Sequence, residues 1–513
     1  MNKYNTFFNA YQVILPLAVE VLIPHDESVR TLVSVLEQID FSDEAVAYAK
    51  RRRKTPFAIM LRVVVYGFMR GFRSVRAIEA ACRENINFMW LLEGYPVPDH
   101  NTVQRFIAAV DMNAVLVKVN KLLIEFEELK FENAFIDGTK IEANANRYIF
   151  VWKGAAEKNK AKLLPKAKTF LADFNARYSV SFLSLDGVIN DLEYLDFKRA
   201  FGKGSRKCQE QRDLETVRDY AIRLQNYETA IERIGESRKS MSKTDPDATF
   251  MRLKEDRMRN GQLKPAYNVQ LCIESEYITG VYVSSDRNDA GTLKPFLDKL
   301  KSEYDRRHEN VTLDAGYESE ENYVYLKDKK QTGYIKPQNY EQAKTKKYKS
   351  QIGRKENMQY DPESDEYTCR SGRKLKAIYK SVRKSTSGYE QTVTTYRCED
   401  CTGCPVRNLC TKAKDNRPKE IECSRLFEEL RAESLKRIIS EFGIQLRINR
   451  SIQAEGAFGV IKHDYGFRRF NRRGLKEIST ELALVCVAHN LNKFHNNILN
   501  ERTGFSLHEI QSG

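Results

Sequence analysis

Two short apolar runs, far apart in the chain, each stop at an aspartate. In "FENAFIDGTKIEANANRY" the run Ala134, Phe135, Ile136 ends at Asp137, and in "VTLDAGYES" Val311 and Leu313 lead into Asp314. A glycine-containing turn follows each acid. A single Asp-Gly is most simply a turn residue capping the next element. Two strands that end this way in one sheet would instead bring two carboxylates within reach of one cation. The fold must then pair strands separated by a long intervening segment.

That segment is helical in pattern. From about residue 154 to 259 the chain is rich in Lys, Arg and Glu. "LETVRDYAIRLQNYETAIERI" places Leu214, Val217, Ala221, Leu224, Ile231 and Ile234 on one face, as an antiparallel helical hairpin or short coiled coil does. Strands resume after it. "AYNVQLCIES" and "YITGVYVSS" read as a β-hairpin, "AGTLKPFLDKLKSEY" as a helix, and "NVTLDAGY" and "TGYIKP" as strands. The order predicts a mixed α/β sheet with a large helical insertion. Ahead of it, residues 42–130 carry helical periodicity. Pro96, Pro98 and Asp99 set up a helix whose face is Val103, Phe106, Ile107 and Val110. Short helices beside the basic run Lys50 to Lys54 fit a helix-turn-helix reader of DNA or a plain helical bundle. The expected division is a helical DNA-binding domain (1–130), the first core strand (131–153), the insertion (154–260), the continued core (261–345), a Cys-rich module (346–440) and C-terminal core helices (441–513).

With 513 residues, several domains are expected. The net charge of +15 is spread along the chain, as in polyanion-binding proteins. The apolar run "YQVILPLAVEVLIP" is broken by Pro16 and Glu20 and reads as a buried N-terminal helix or strand pair, so no membrane partner is expected. Ten cysteines point to a reducing compartment, hence the cytoplasm.

Phosphodiester cleavage uses two hard cations, one at the nucleophile and one at the leaving oxygen. Mg²⁺ (or Mn²⁺) takes oxygen ligands, and two Asp with one Glu suffice to bridge a pair. Glu455, in "RSIQAEGAFGVIKHDYGFRRFNRRG", supplies the third acid, with Lys462 two helical turns further on the same face. Arg468, Arg469, Arg472 and Arg473 would hold the DNA backbone, with Arg51, Arg52 and Arg53 as the N-terminal contacts. Glu481 is a rival for the third ligand, read as a surface residue. Asp289 follows a strand and is a candidate supporting acid. Trp152 is a core aromatic or a stacking platform for a displaced base.

"CEDCTGCPVRNLC" has the spacing C-x2-C-x2-C-x5-C through Cys398, Cys401, Cys404 and Cys410, with Cys369 upstream. Four soft thiolates in a short loop can hold a structural Zn²⁺. Two adjacent C-x2-C steps strain one ion, so Cys369 is a candidate to replace one of the four. Unmetallated thiols and an iron–sulfur cluster are the alternatives.

Taken together, "DGTKIEANAN", "TDPDA", "YNVQ", "LDAGYES", the Cys cluster, "EGAFGVIK" and "GFRRFNRRG", behind a helical segment at about 55–110, resemble bacterial insertion-sequence transposases of the DDE class. The resemblance implies a ribonuclease-H-like core. Asp137 would lie on its first strand, Asp314 after its fourth and Glu455 on a later helix. It also implies cut-and-paste transposition at terminal inverted repeats, with 3′-hydroxyl ends attacking target DNA. Two ends must be held together, so a homodimer on double-stranded DNA at the bacterial nucleoid is expected. The family's Tyr and Arg ahead of the Glu are replaced by Ile448 and Ser451, with Arg447 and Arg450 nearby. A metal-dependent nuclease without strand transfer and a non-catalytic DNA-binding protein are the other readings.

Overall fold

The computed structural model describes residues 19–49, 55–194, 200, 207–236, 238–253, 261–413 and 417–505. Seven helices come first: α1 (Ser28–Glu37), α2 (Ser42–Ala49), α3 (Phe57–Met69), α4 (Val75–Glu84), α5 (Ile86–Leu91), α6 (His100–Ala109) and α7 (Met112–Glu125). Their starts follow capping chemistry. Asp99 accepts the Thr102 N–H at 2.7 Å to open α6, and Asp111 accepts the Asn113 N–H at 3.0 Å to open α7. On α6, Val103, Phe106 and Ile107 are buried, the face that the three-and-four spacing predicts. The "FAIMLRVVVYGFM" of α3 is apolar nearly all round, and α3 is accordingly buried nearly all round.

The chain then enters β1 (Asn133–Glu142) and β2 (Phe150–Trp152). It leaves through the helices α8 (Lys153–Tyr178), α9 (Leu185–Tyr194) and α10 (Gln209–Ile234). Phe174, Val188, Leu192, Leu214 and Val217 form the insertion's own small core. The strands β3 (Ser240–Ser242), β4 (Thr249–Arg252), β5 (Leu263–Glu274) and β6 (Tyr277–Ser284) bring it back. Then come α11 (Leu293–Tyr304), β7 (Asn310–Leu313), α12 (Glu320–Asp328), β8 (Thr332–Ile335) and two single turns, α13 (Tyr340–Ala343) and α14 (Lys346–Lys349).

β1 is central in the main sheet. It pairs antiparallel with β5, from Phe135↔Ile273 to Glu142↔Ala266, and parallel with β7, from Asn133↔Asn310 to Ile136↔Leu313. β8 extends the parallel side, and β6 and β4 share the far edge of β5. The expected hairpin is therefore β5–β6. The expected end of the first strand at Asp137 is not. β1 runs five residues further because β5 stays paired with it, while β7 stops at Leu313.

A second, five-stranded antiparallel sheet was not foreseen. It comprises β9 (Gln359–Asp361), β10 (Glu366–Thr368), β11 (Lys374–Lys384), β12 (Glu390–Cys398) and β13 (Glu420–Cys423), in the order β13-β12-β11-β10-β9, with the single-turn helix α15 (Arg407–Cys410) before β13. The chain closes with α16 (Arg425–Ile439), α17 (Glu441–Gly459), one π-turn (Val460–Asp464) and α18 (Leu475–Leu499).

α18 is the hub of the molecule. Leu482, Leu484, Val485, Val487 and Leu491 share one continuous core with Val29 and Leu32 of α1, Val63 and Val64 of α3, Val115 and Leu116 of α7, and Val269 and Leu271 of β5. Asn490 of α18 satisfies the β6 backbone, accepting the Ile278 N–H at 2.8 Å and donating to the Ile278 carbonyl at 2.9 Å. A side chain thus stands in for a neighbouring strand at that point.

Candidate active site

The register decides where the first two acids meet. Ile136 is paired with Leu313 on parallel strands, and Asp137 and Asp314 are the next residue of each. Their carboxylates therefore leave the sheet side by side, where β7 ends and β1 continues. Asp137 Oδ1 accepts its neighbour's Gly138 N–H at 2.9 Å, and Asp314 Oδ1 accepts the Gly316 N–H at 2.8 Å. Arg450, on α17, lies across the pair. Its Nη1 is 3.4 Å from Asp137 Oδ2, with both side chains mostly buried.

Asp289, just past β6, belongs to the same group. Its Oδ1 accepts hydrogen bonds from Asn268 Nδ2 at 2.7 Å and Gln270 Nε2 at 3.2 Å. Across Gly316 it faces Asp314. A side chain there would begin 3.0 Å from Asp314 Oδ1 and 3.1 Å from Asp289 Oδ2, so glycine keeps the gap between the two carboxylates open. Tyr317 sits beneath, fully buried, its hydroxyl bonded to Gln270 Oε1. Burial drives the phenol's pKa far up, and Asp289, Asp137 and Asp314 add to the effect, so all three acids surround it. The sequence signal for Asp289 was the same as for Asp314, an acid after a strand, without the apolar run leading into a parallel pair.

Lys462, in the π-turn, donates to Thr139 Oγ1 at 2.7 Å, two residues beyond Asp137 on β1. Glu455 stands exposed on α17 between Arg450 and Lys462. Among the described residues, no three His, Cys, Asp or Glu side chains converge tightly enough to form a metal shell by themselves. The donor chemistry nonetheless suits a hard cation. Adjacent carboxylates border an open gap, and a guanidinium already supplies positive charge beside Asp137.

Glu481 is not the surface residue expected. It is 2% exposed and receives the backbone N–H groups of Asn471 and Arg472, each at 3.2 Å. Its carboxylate organises the basic loop, and burial pushes its pKa up. That loop is braced against the end of β1. Arg469 Nε reaches the Ala143 carbonyl at 3.2 Å and Arg473 Nε the Asn144 carbonyl at 2.7 Å, while Arg472 pairs with Glu477. Arg468 is exposed and contacts His463. Arg73, beyond α3, ties the N-terminal helices to the same loop. It donates to the carbonyls of Gly466 and Arg469 and lies over the Phe467 ring. Trp152 packs among Phe150 and Phe250. Arg51, Arg52 and Arg53 lie outside the described residues.

All five clustered cysteines line one cavity. Cys369, Cys398, Cys401, Cys404 and Cys410 surround a space of about 20 Å³ at the end of the second sheet. The Cys404 thiol is held below its ordinary range by hydrogen bonds from Ser371 and the Val406 N–H, whereas burial pushes Cys398 up to about 12. Of the cysteines outside this cluster, Cys82, Cys272, Cys423 and Cys486 are buried and Cys208 is half-buried.

Two family models match the chain: "Transposase domain (DUF772)" over residues 17–109 and "Transposase DDE domain" over residues 368–495. Over these two segments, together less than half of the chain, the sequence is similar to transposase domains. The first match covers the N-terminal helices that pack on α18. The second takes in the Cys module, Glu455, Lys462 and α18 and begins beyond Asp137 and Asp314. Neither the curated proteins nor the solved structures contain a match to this chain. Among its described residues no helix is long and apolar enough to cross a membrane.

Proposed function

We propose that this protein moves an insertion sequence by cut-and-paste, hydrolysing double-stranded DNA at the terminal inverted repeats and transferring the 3′-hydroxyl ends into target DNA. The observation that carries the reading is the β1–β7 register, which sets Asp137 beside Asp314 in a chain with these similarities. The sheet order supports a ribonuclease-H-like core. Strands β6, β5 and β1 run antiparallel in succession, and β7 and β8 continue parallel to β1.

Asp137 and Asp314, with Glu455, would hold Mg²⁺ or Mn²⁺. When bound, these ions neutralise phosphate charge and lower the pKa of an attacking water or hydroxyl. The protein's own groups do the rest. Asn268 and Gln270 fix Asp289 behind the pair, and Tyr317 stays protonated and donates a hydrogen bond. Arg450 offsets the charge on Asp137, and its guanidinium is placed to meet a phosphate once a cation takes over that task. Lys462, anchored on Thr139, adds a fixed positive charge beside the scissile strand. Arg468, Arg469 and Arg473 continue that charge along the end of β1. A groove of about 720 Å³ lined by Arg73, Gln104, Asn471 and Arg472 extends it toward the N-terminal helices. A homodimer on DNA would hold both ends together.

The test is cleavage of the element's own end DNA with Mg²⁺ or Mn²⁺, with end binding followed in parallel and pre-cut ends used for strand transfer. Asp137→Ala, Asp314→Ala and Glu455→Ala should each lose cutting by at least about 10²-fold while binding persists. If Glu455→Ala still cuts and Asp289→Ala does not, Asp289 is the third ligand. A parent protein that binds ends and never cuts sinks the proposal.

A further inference from the structure

The Cys module has a problem that its hydrophobic residues do not solve. Its core consists of Met358, Tyr367, Leu375, Tyr396, Cys398, Cys401, Ile421 and Cys423, and β11 is exposed along most of its length. A five-stranded sheet with so small a core is the kind of unit that needs a cross-link. The cavity of five thiols lies at the open end of that core.

The thiols come from separate parts of the module. Cys369 follows β10, Cys398 ends β12, Cys401 and Cys404 lie in the next turn, and Cys410 ends α15. Cys369 and Cys401 each begin a tight turn. The Gly372 N–H returns to the Cys369 carbonyl at 2.9 Å and the Cys404 N–H to the Cys401 carbonyl at 3.4 Å, with Gly372 and Gly403 in the left-handed region. Cys410 is within electrostatic reach of Cys369, Cys401 and Cys404.

Hydrogen-bond direction separates three of the five. Cys401 Sγ accepts the Lys419 N–H at 3.3 Å. Cys404 Sγ is contacted by Ser371 Oγ at 3.4 Å and by the Val406 N–H. Donors aimed at sulfur are what a metal thiolate requires around it. Cys398 differs, although its thiol contacts that of Cys401 and lies within reach of Cys369. It is 2% exposed in the core, held in register opposite Leu375, and its thiol donates to the Asp400 carbonyl at 3.3 Å. A thiolate at that position would set its charge against a carbonyl oxygen.

We propose that Cys369, Cys401, Cys404 and Cys410 bind one structural Zn²⁺, and that Cys398 stays in the core outside the metal's shell. The C-x2-C-x2-C run is thereby broken, with its first cysteine excluded and the distant Cys369 taking its place. A tetrahedral all-sulfur site suits Zn²⁺, whose thiolate bonds impose no further geometric demand. All four residues line the cavity, and among the described residues no metal shell is preformed.

The experiment is elemental analysis of the full-length protein purified without added metal, with Co²⁺ substitution as a second readout. The parent should carry one zinc per chain. Its Co²⁺ form should give the intense visible bands of a tetrahedral thiolate site. Cys398→Ser should keep both. Cys369→Ser and Cys410→Ser should lose the metal or bind it at least tenfold more weakly in a chelator competition. If these variants do not fold, the Co²⁺ spectrum of the parent and of Cys398→Ser still decides the matter. Loss of the metal in Cys398→Ser overturns the ligand assignment. A parent with no zinc and no Co²⁺ thiolate bands, or one containing iron and sulfide, overturns the site.

Discussion

At the scale of single residues, the acids depend on a neighbour that has no side chain. Gly138 faces Gln270 across the β1–β5 pair, and a Cβ there would fall 2.5 Å from Gln270 Nε2. That amide cannot swing aside freely. It is fully buried, donates to Asn268 and Asp289, and accepts from Tyr317. Gly138→Ala should therefore cost about 1–3 kcal/mol in urea unfolding and reduce cleavage with little loss of end binding. Gly154→Ala, with open space around its Cβ, is the control and should be neutral or slightly stabilising. Equal stability of the two variants would remove Gln270 from the account of the site. The Asp-Gly pair stood out in the sequence, but as the end of a strand that in fact continues to Glu142. The reason for its glycine was not legible, because Gln270 becomes a neighbour only through long-range pairing.

At the scale of elements, the start of β1 is held by an unusual anchor. Glu274, at the end of β5, accepts the backbone N–H groups of Phe131, Glu132 and Asn133 at 2.8, 2.7 and 3.1 Å. Burial nevertheless pushes its carboxyl up from 4.5 to about 7, with Glu132 adding repulsion. The proton is thus bound more tightly in the folded chain. That contribution is fully present below pH 4.5 and is lost as pH rises through about 7, a difference of about 3 kcal/mol. His308, stacked on Phe131 and 3.8 Å from Glu274, acts in the reverse sense. Burial lowers it to about 3, so its contribution is lost as pH falls below 6.5. Glu274→Gln should flatten the loss of stability between pH 4.5 and 7, measured by urea midpoints across pH. An unchanged profile would assign that loss to other groups. Elements with strong local signatures were readable: the α6 stripe, the β5–β6 hairpin, and the helices of the insertion. The second sheet was not. β9 and β10 are three residues each, β11 alternates little because most of it faces solvent, and β13 pairs with β12 only across the intervening Cys-containing turn.

At the scale of the whole molecule, the charge of +15 predicts how DNA is bound. With six or more phosphates held, end binding should weaken by roughly 10³-fold or more between about 50 and 200 mM salt. A shallow dependence in a fluorescence-anisotropy titration would mean that the basic loop and the groove beside it are not the contact surface. The sequence displayed the acids and the basic flank as candidates. It did not reveal that the N-terminal helices and the main sheet meet in one core through α18, since that contact joins segments hundreds of residues apart. This arrangement has a consequence for synthesis. Helices α1 to α7 leave the ribosome hundreds of residues before α18 is translated, and their apolar faces lack that partner throughout. A nonsense codon or frameshift anywhere upstream of Leu475 therefore yields an adhesive fragment fit for proteolysis and no partly working enzyme. Production of the folded protein is gated by completion of α18.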